Sequence, residues 1–180
     1  MATDTTRQRY LNSIVSYMLS QGRTDVPLVA LAEAAGTSDR MLIYYFKTRE
    51  ALITEVLQTV RTRRHKDLAT RLARIPRASD KVREVAAVLR WIASSEDRGN
   101  CRFFFATVGA GLRVEEPFAS FLIGSIRDTF HEAQQTARRM GASSKRAEDF
   151  ATIFSGLSTS LACDSLTSGE TERINRAIDS

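Results

Sequence analysis

The sequence predicts an all-α protein, with a short N-terminal helix-turn-helix domain followed by a larger helical domain. Three observations predict it. Only three prolines interrupt 180 residues. Apolar residues recur with a 3.6-residue period along nearly the whole chain. The stripes are punctuated by glycine at their ends and serine at their starts, the residues that close and open helices.

The first helix carries Tyr10, Leu11, Ile14, Val15, Met18 and Leu19 on one stripe, and Gly22 stops it. A short second helix uses Leu28, Leu31, Ala32 and Ala35, with Pro27 expected in its first turn, where a missing N–H costs nothing. Gly36 suits a left-handed residue after its last turn. Ser38 is an N-cap for a third helix to Phe46. A fourth opens at Lys47 or Thr48, carries Leu52, Ile53, Val56, Leu57 and Val60, and continues through the basic Arg61–Lys66 run towards Arg74 before Pro76. That basic run reads as a solvated helix face.

Further helices are expected over Ser79–Ser95, Cys101–Arg113, Glu116–Met140, Ser144–Leu166 and about Glu170–Ile178, with residues 96–100 as a loop. The Phe103–Val108 run could pass for a buried strand, but no partner strand is in sight. The division expected is residues 1–48 for the helix-turn-helix domain and 49–180 for the rest.

Two short helices joined by the glycine-containing turn Gly36-Thr37-Ser38 make a helix-turn-helix, and Ala32 and Ala35 let them approach closely. Leu42 and Phe46 are four apart and face the core. Arg40, Ile43, Tyr44 and Lys47, spaced i, i+3, i+4 and i+7, form a second face about 200° away. A guanidinium there can bond a guanine edge bidentately, and a branched alkyl can meet a thymine methyl. A phenol and an ammonium suit phosphate oxygens. Charge agrees with that reading. Of the net +5, residues 1–66 carry ten Lys/Arg against six Asp/Glu. A basic excess confined to one third of a chain hints at a polyanionic partner.

These residues resemble the DNA-binding domain of the TetR family of one-component transcriptional regulators. The likeness lies in Leu31-Ala32-Glu33-Ala34-Ala35-Gly36, Thr37-Ser38, Leu42-Ile43-Tyr44-Tyr45-Phe46, Lys47-Thr48-Arg49 and Glu50-Ala51-Leu52, and spans roughly Tyr10 to Val56. Three positions depart from the family pattern. Tyr45 stands where a histidine is usual, Ile43 where a tyrosine is usual, and Val26-Pro27 where a threonine often caps the second helix. The resemblance places base reading on Thr37, Asp39, Arg40 and Met41, and phosphate contact on Tyr44, Tyr45, Lys47 and Arg49. It implies a homodimer on a near-palindromic operator in double-stranded DNA, and a C-terminal domain that binds a small effector whose arrival releases the DNA, so that the protein acts as a repressor.

Aromatic residues are concentrated in that second part, so an apolar effector is expected. Its expected lining is Trp91, Phe104, Thr107, Phe121, His131 and Phe154. The expected dimer face is Phe150, Ile153, Leu157 and Leu161 on the Ser144–Leu166 helix, whose small residues permit close packing.

Two cysteines, Cys101 and Cys163, suggest no disulfide framework and a reducing compartment. The polar N-terminus lacks an apolar signal region and no apolar run reaches membrane-spanning length, so a cytoplasmic protein away from membranes is expected. An enzyme fares badly. His65 and His131 are far apart in sequence, and there is no glycine-rich phosphate loop, no G-x-S-x-G elbow and no Cys/His cluster with zinc spacing. Neither cofactor nor metal is expected. The remaining alternative is a helical protein–protein adaptor without operator-specific DNA binding.

Overall fold

The computed structural model describes residues 2–94 and 96–180, with side chains from residue 5 onwards. Among them every regular element is a helix: α1 (Ala2–Gln21), α2 (Leu28–Ala35), α3 (Asp39–Phe46), α4 (Arg49–Leu72), a 3-10 turn (Ile75–Arg77), α5 (Lys81–Ile92), α6 (Arg98–Leu112), α7 (Phe118–Arg139), α8 (Ser144–Ser168) and α9 (Thr171–Asp179). The all-α expectation holds, and the Phe103–Val108 run is helical. Three local readings change. Pro27 is the extended residue before α2 rather than part of its first turn. The expected loop at residues 96–100 is too long, because α6 already starts at Arg98. The fifth helix starts after Asp80, whose carboxylate accepts from the Arg83 N–H, and ends at Ile92; its expected limit, Ser95, lies outside the described residues.

The chain packs as two compact units. One comprises Met1–Thr62 with Arg102–Leu122, the other Arg63–Cys101 with Ile123–Ser180. The expected boundary after residue 48 falls inside the first unit. Ile14, Val15, Met18, Leu31, Leu42, Phe46, Leu52, Val56 and Phe103 form the centre of that unit's core. In the second unit Leu72, Ile75, Ile92, Ala133, Ala151, Phe154 and Ile174 are buried, and the Ser165 hydroxyl donates to the Ala93 carbonyl at 2.6 Å, tying α8 to the end of α5.

Two glycines of the first unit hold positive φ for different reasons. Gly36 (φ 66°) closes α2: its N–H donates to the Glu33 carbonyl and the Thr37 N–H to the Ala32 carbonyl, both at 3.0 Å. A Cβ on Gly36 would meet open space. Gly22 (φ 61°) ends α1 against α6, where a Cβ would sit 2.9 Å from the Arg102 Cβ. Gly36→Ala should therefore cost only the left-handed strain, about 1–2 kcal/mol. Gly22→Ala adds a clash with a Cβ that cannot swing away and should lower the urea midpoint further. Equal midpoints for the two variants would contradict this ordering.

Candidate nucleic-acid interface

Helix α3 is short, and its ends are fixed by local chemistry. The Ser38 hydroxyl accepts from the Met41 N–H at 3.3 Å, and the Asp39 carboxylate accepts from the Arg40 N–H at 2.9 Å. Asp39 thus places its charge where the helix N-terminus favours an anion. At the other end, Lys47 has φ 72° and ψ −56°, and the Thr48 N–H reaches back to the Phe46 carbonyl at 2.9 Å. This is a γ-turn with positive φ, a rare and strained conformation for a residue with a Cβ. It turns the chain within one residue, and the Thr48 hydroxyl then caps α4 by accepting from the Ala51 N–H at 3.0 Å.

Between those ends the helix is two-faced as its spacing requires. Leu42 and Phe46 are buried, whereas Asp39, Arg40, Met41, Ile43, Tyr44 and Lys47 are exposed. Tyr44 is 63% exposed, high for an aromatic ring. The Lys47 ammonium lies 5.9 Å from the centre of its ring. Tyr45 is half-buried, edge-on to Tyr10 at 5.6 Å and to Tyr44 at 5.1 Å. Thr37 is half-buried in the turn.

Arg49, expected to contact phosphate, has a partner within the chain. It is half-buried, and its Nη2 donates to the Val26 carbonyl at 3.1 Å, tying the start of α4 to the start of α2. The residue missed by sequence reading is Arg7. Its Nε donates to the Tyr45 carbonyl at 3.3 Å, its guanidinium lies 4.7 Å from the Phe46 ring centre, and it pairs with Glu55. One α1 side chain thus holds α3 and α4 together. The only signal in the sequence was its place one turn before Tyr10.

The expected pocket residues are divided between the two units. Phe104, Thr107 and Phe121 belong to the first unit. There Phe121 is buried 6.0 Å from Phe103 and 6.5 Å from Phe104, and the buried Thr107 hydroxyl donates to the Phe104 carbonyl at 2.6 Å. Trp91, His131 and Phe154 belong to the second unit, where His131 is exposed and Phe154 is buried beside Phe150 at 5.8 Å. A cavity of about 490 Å³ in that unit is lined by Gly169, Glu170, Thr171, Glu172, Arg173 and Arg176. Among the expected dimer residues, Ile153 and Leu157 are 68% and 42% exposed, and Phe150 and Leu161 are half-buried.

The basic Arg61–Lys66 run is not simply solvated. Arg64 pairs with the buried Asp97 at 2.7 Å, and His65 lies 3.6 Å from Glu132. Burial raises the Asp97 carboxyl above its usual range, with Arg64 pulling the other way. Burial, then the Asp97 charge, pushes the Cys101 thiol up to about 12. Cys101 is a packed thiol that donates towards Asp97 at 3.4 Å, not a reactive thiolate.

No protein-family model matches the sequence, and no curated protein does. Solved structures do. A transcriptional regulator from Rhodococcus sp. Rha1 superposes with a TM-score of 0.74 at 17% identity, over 96% of this chain and 91% of that one. A protein assigned to the TetR-family transcriptional regulators, from Mesorhizobium loti, gives 0.76 at 13% identity over 99% and 94%. The fold is that of the TetR family. Its more distant forms match as well: NalD, the secondary repressor of the MexAB-OprM multidrug efflux pump in Pseudomonas aeruginosa, gives 0.52 at 16% identity over 99% and 96%. In this TetR-like chain, α2 and α3 are the helix-turn-helix, and α3 carries the exposed face.

Proposed function

We propose that the chain is a sequence-specific DNA-binding transcriptional regulator, a homodimeric repressor released from a near-palindromic operator by a small, largely apolar effector. The observation that carries this reading is the exposed α3 face. Arg40, Met41, Ile43, Tyr44 and Lys47 are displayed on a helix whose opposite side, Leu42 and Phe46, is locked in the core. Such a helix enters a major groove with its N-terminal residues on base edges. Thr37, Asp39, Arg40 and Met41 would then read bases, and Tyr44, Tyr45 and Lys47 would hold phosphates. Arg49 supports the arrangement through its bond to Val26. NalD's described role as a repressor supports the choice of repression.

The test is selection of bound fragments from random DNA, followed by affinity measurements across a salt series. Tyr44→Phe and Lys47→Ala should weaken binding to any sequence, with the Lys47 variant reducing the salt slope by about 1. Arg40→Ala should flatten sequence preference, by about 1–3 kcal/mol at one base pair. Steep salt dependence without any sequence preference in the parent would sink the regulator reading; no duplex binding at all would favour the adaptor.

The dimer reading rests on α8. Ile153 and Leu157 are exposed apolar residues one turn apart, and α7 exposes Ile123 and Ile126 besides. Large apolar side chains repeated on one surface mark an interaction site. The Ile153→Glu, Leu157→Glu double variant should sediment as a monomer at micromolar concentration. It should keep its helical content and lose the preference for paired half-sites over single ones. A dimer unchanged in sedimentation would move the interface elsewhere. Two heads must match successive major grooves, so an effector that prefers a mismatched conformer lowers operator affinity by its differential affinity for the two states.

A further inference from the structure

The second unit holds a buried polar site that packing does not explain. Trp91 on α5 is 7% exposed, and its ring is flanked by two guanidiniums from α4: Arg64 at 4.2 Å and Arg71 at 4.1 Å from the ring centre. Arg64 gives one nitrogen, Nη2, to Asp97. Its other terminal nitrogen, Nη1, is buried with no hydrogen-bond partner among the described residues, and the same holds for the Trp91 indole Nε1. With the guanidinium 4.2 Å from the indole ring centre, the two orphaned donors belong to one stacked pair of side chains. Native folds rarely leave two buried donors unmet side by side, and where they do, a missing water, ion or ligand is the usual reason. Both partners offer N–H only and cannot accept, so the missing group must be an acceptor. Two N–H groups, one of them cationic, match the paired oxygens of a carboxylate. Arg71, which lies against the same ring, is a partly exposed side chain whose partner Glu96 is 68% exposed. Such a pair is weak and can open.

We propose that the Trp91 edge, with Arg64 Nη1 and Trp91 Nε1 as donors and Arg71 as a movable neighbour, binds the carboxylate of a small organic acid. This rests on the reading of the chain as an effector-responsive regulator, and it gives the apolar effector one acidic end. The site also sits on α4, the helix that begins beside the reading helix α3 and continues into the second unit.

Trp91 is the only tryptophan in the chain, so its emission reports the site directly. The probe is sodium benzoate, titrated into the full-length protein at constant ionic strength, with benzamide and chloride as controls. A saturable change in Trp91 emission is expected with benzoate and not with either control. Trp91→Phe keeps the ring between the two arginines and removes only the N–H. By calorimetry it should weaken benzoate by about tenfold, the equivalent of one hydrogen bond to a charged group. Its melting temperature should stay at or above the parent value, because an unmet donor has been removed. Arg64→Lys keeps the charge facing Asp97, loses the second donor, and should weaken benzoate likewise. Benzoate binding that is absent, non-saturable, or unchanged in both variants overturns the proposal, including the case in which a buried water alone meets the two donors. Operator affinity of the ligand-free protein, measured separately, stands or falls without reference to this site.

Discussion

Arg7→Ala should destabilise the N-terminal unit by about 2–3 kcal/mol, the largest effect expected in that unit of any substitution outside its apolar core. Three contacts go at once. The Tyr45 carbonyl loses a charged donor, the Phe46 ring loses a guanidinium at 4.7 Å, and Glu55 loses its counter-charge. Arg7 and Glu55 are each about one-third exposed, so the ion pair itself contributes least and the loss comes mainly from packing and the carbonyl bond. Arg7→Lys should recover less than half, since an ammonium can neither stack flat on Phe46 nor offer a rigid fork. Glu55→Gln should cost little. Because Arg7 grips α3 through the backbone at Tyr45, operator affinity should fall in Arg7→Ala even under conditions where the protein remains folded. A urea midpoint in Arg7→Ala equal to the parent's would show that α1 does not hold the reading helix in this way.

The contrast between Arg7 and Arg40 shows what the sequence makes legible. Arg40 could be placed because its neighbours at i+3, i+4 and i+7 and the apolar pair opposite are local, and helical geometry alone sorts them. The same local logic located Ser38, Gly36, and nearly every helix of the chain. Arg7 and Arg64 were unreadable because their roles are set by partners far along the chain: Tyr45 and Glu55 for one, Asp97 and Trp91 for the other. A basic residue on a helix has the same local signature whether it faces water or a buried carboxylate. Aromatic residues fail for a related reason. Phe104, Phe121 and Phe154 each lie on a helix stripe that suits a pocket wall as well as a core, and sequence alone does not separate the two. The polar stretch Glu96–Asn100 looked like a loop because charge and glycine disfavour helix interiors. They are tolerated here at a helix start, where Asp97 precedes the first turn and the Asn100 side chain donates to it at 3.1 Å.

Arg64→Ala should be the most damaging change in the second unit, and its cost should depend on pH in a definite direction. Asp97 is fully buried, and the Arg64 guanidinium pairs with it at 2.7 Å. Removing one partner of a buried pair costs about 3–5 kcal/mol when the other stays charged; the partial exposure of Arg64 lowers the expectation to about 2–4 kcal/mol at pH 7. The folded carboxyl is already raised above its ordinary value by burial. A raised carboxyl favours the folded state most below its unfolded value, and that contribution is lost as pH rises through the folded one. Without Arg64 the main force pulling it down is gone, so it rises further and the loss extends to higher pH. At about pH 4, where Asp97 in the variant holds its proton, the gap between parent and variant should be small; towards neutrality it should widen. Asp97→Asn placed on the Arg64→Ala background should close much of the gap at pH 7, because a neutral amide needs no counter-charge and can still bond Asn100. A difference in unfolding free energy that is flat from pH 4 to pH 7, or a double variant no more stable than Arg64→Ala, would mean that Asp97 is not the group Arg64 serves.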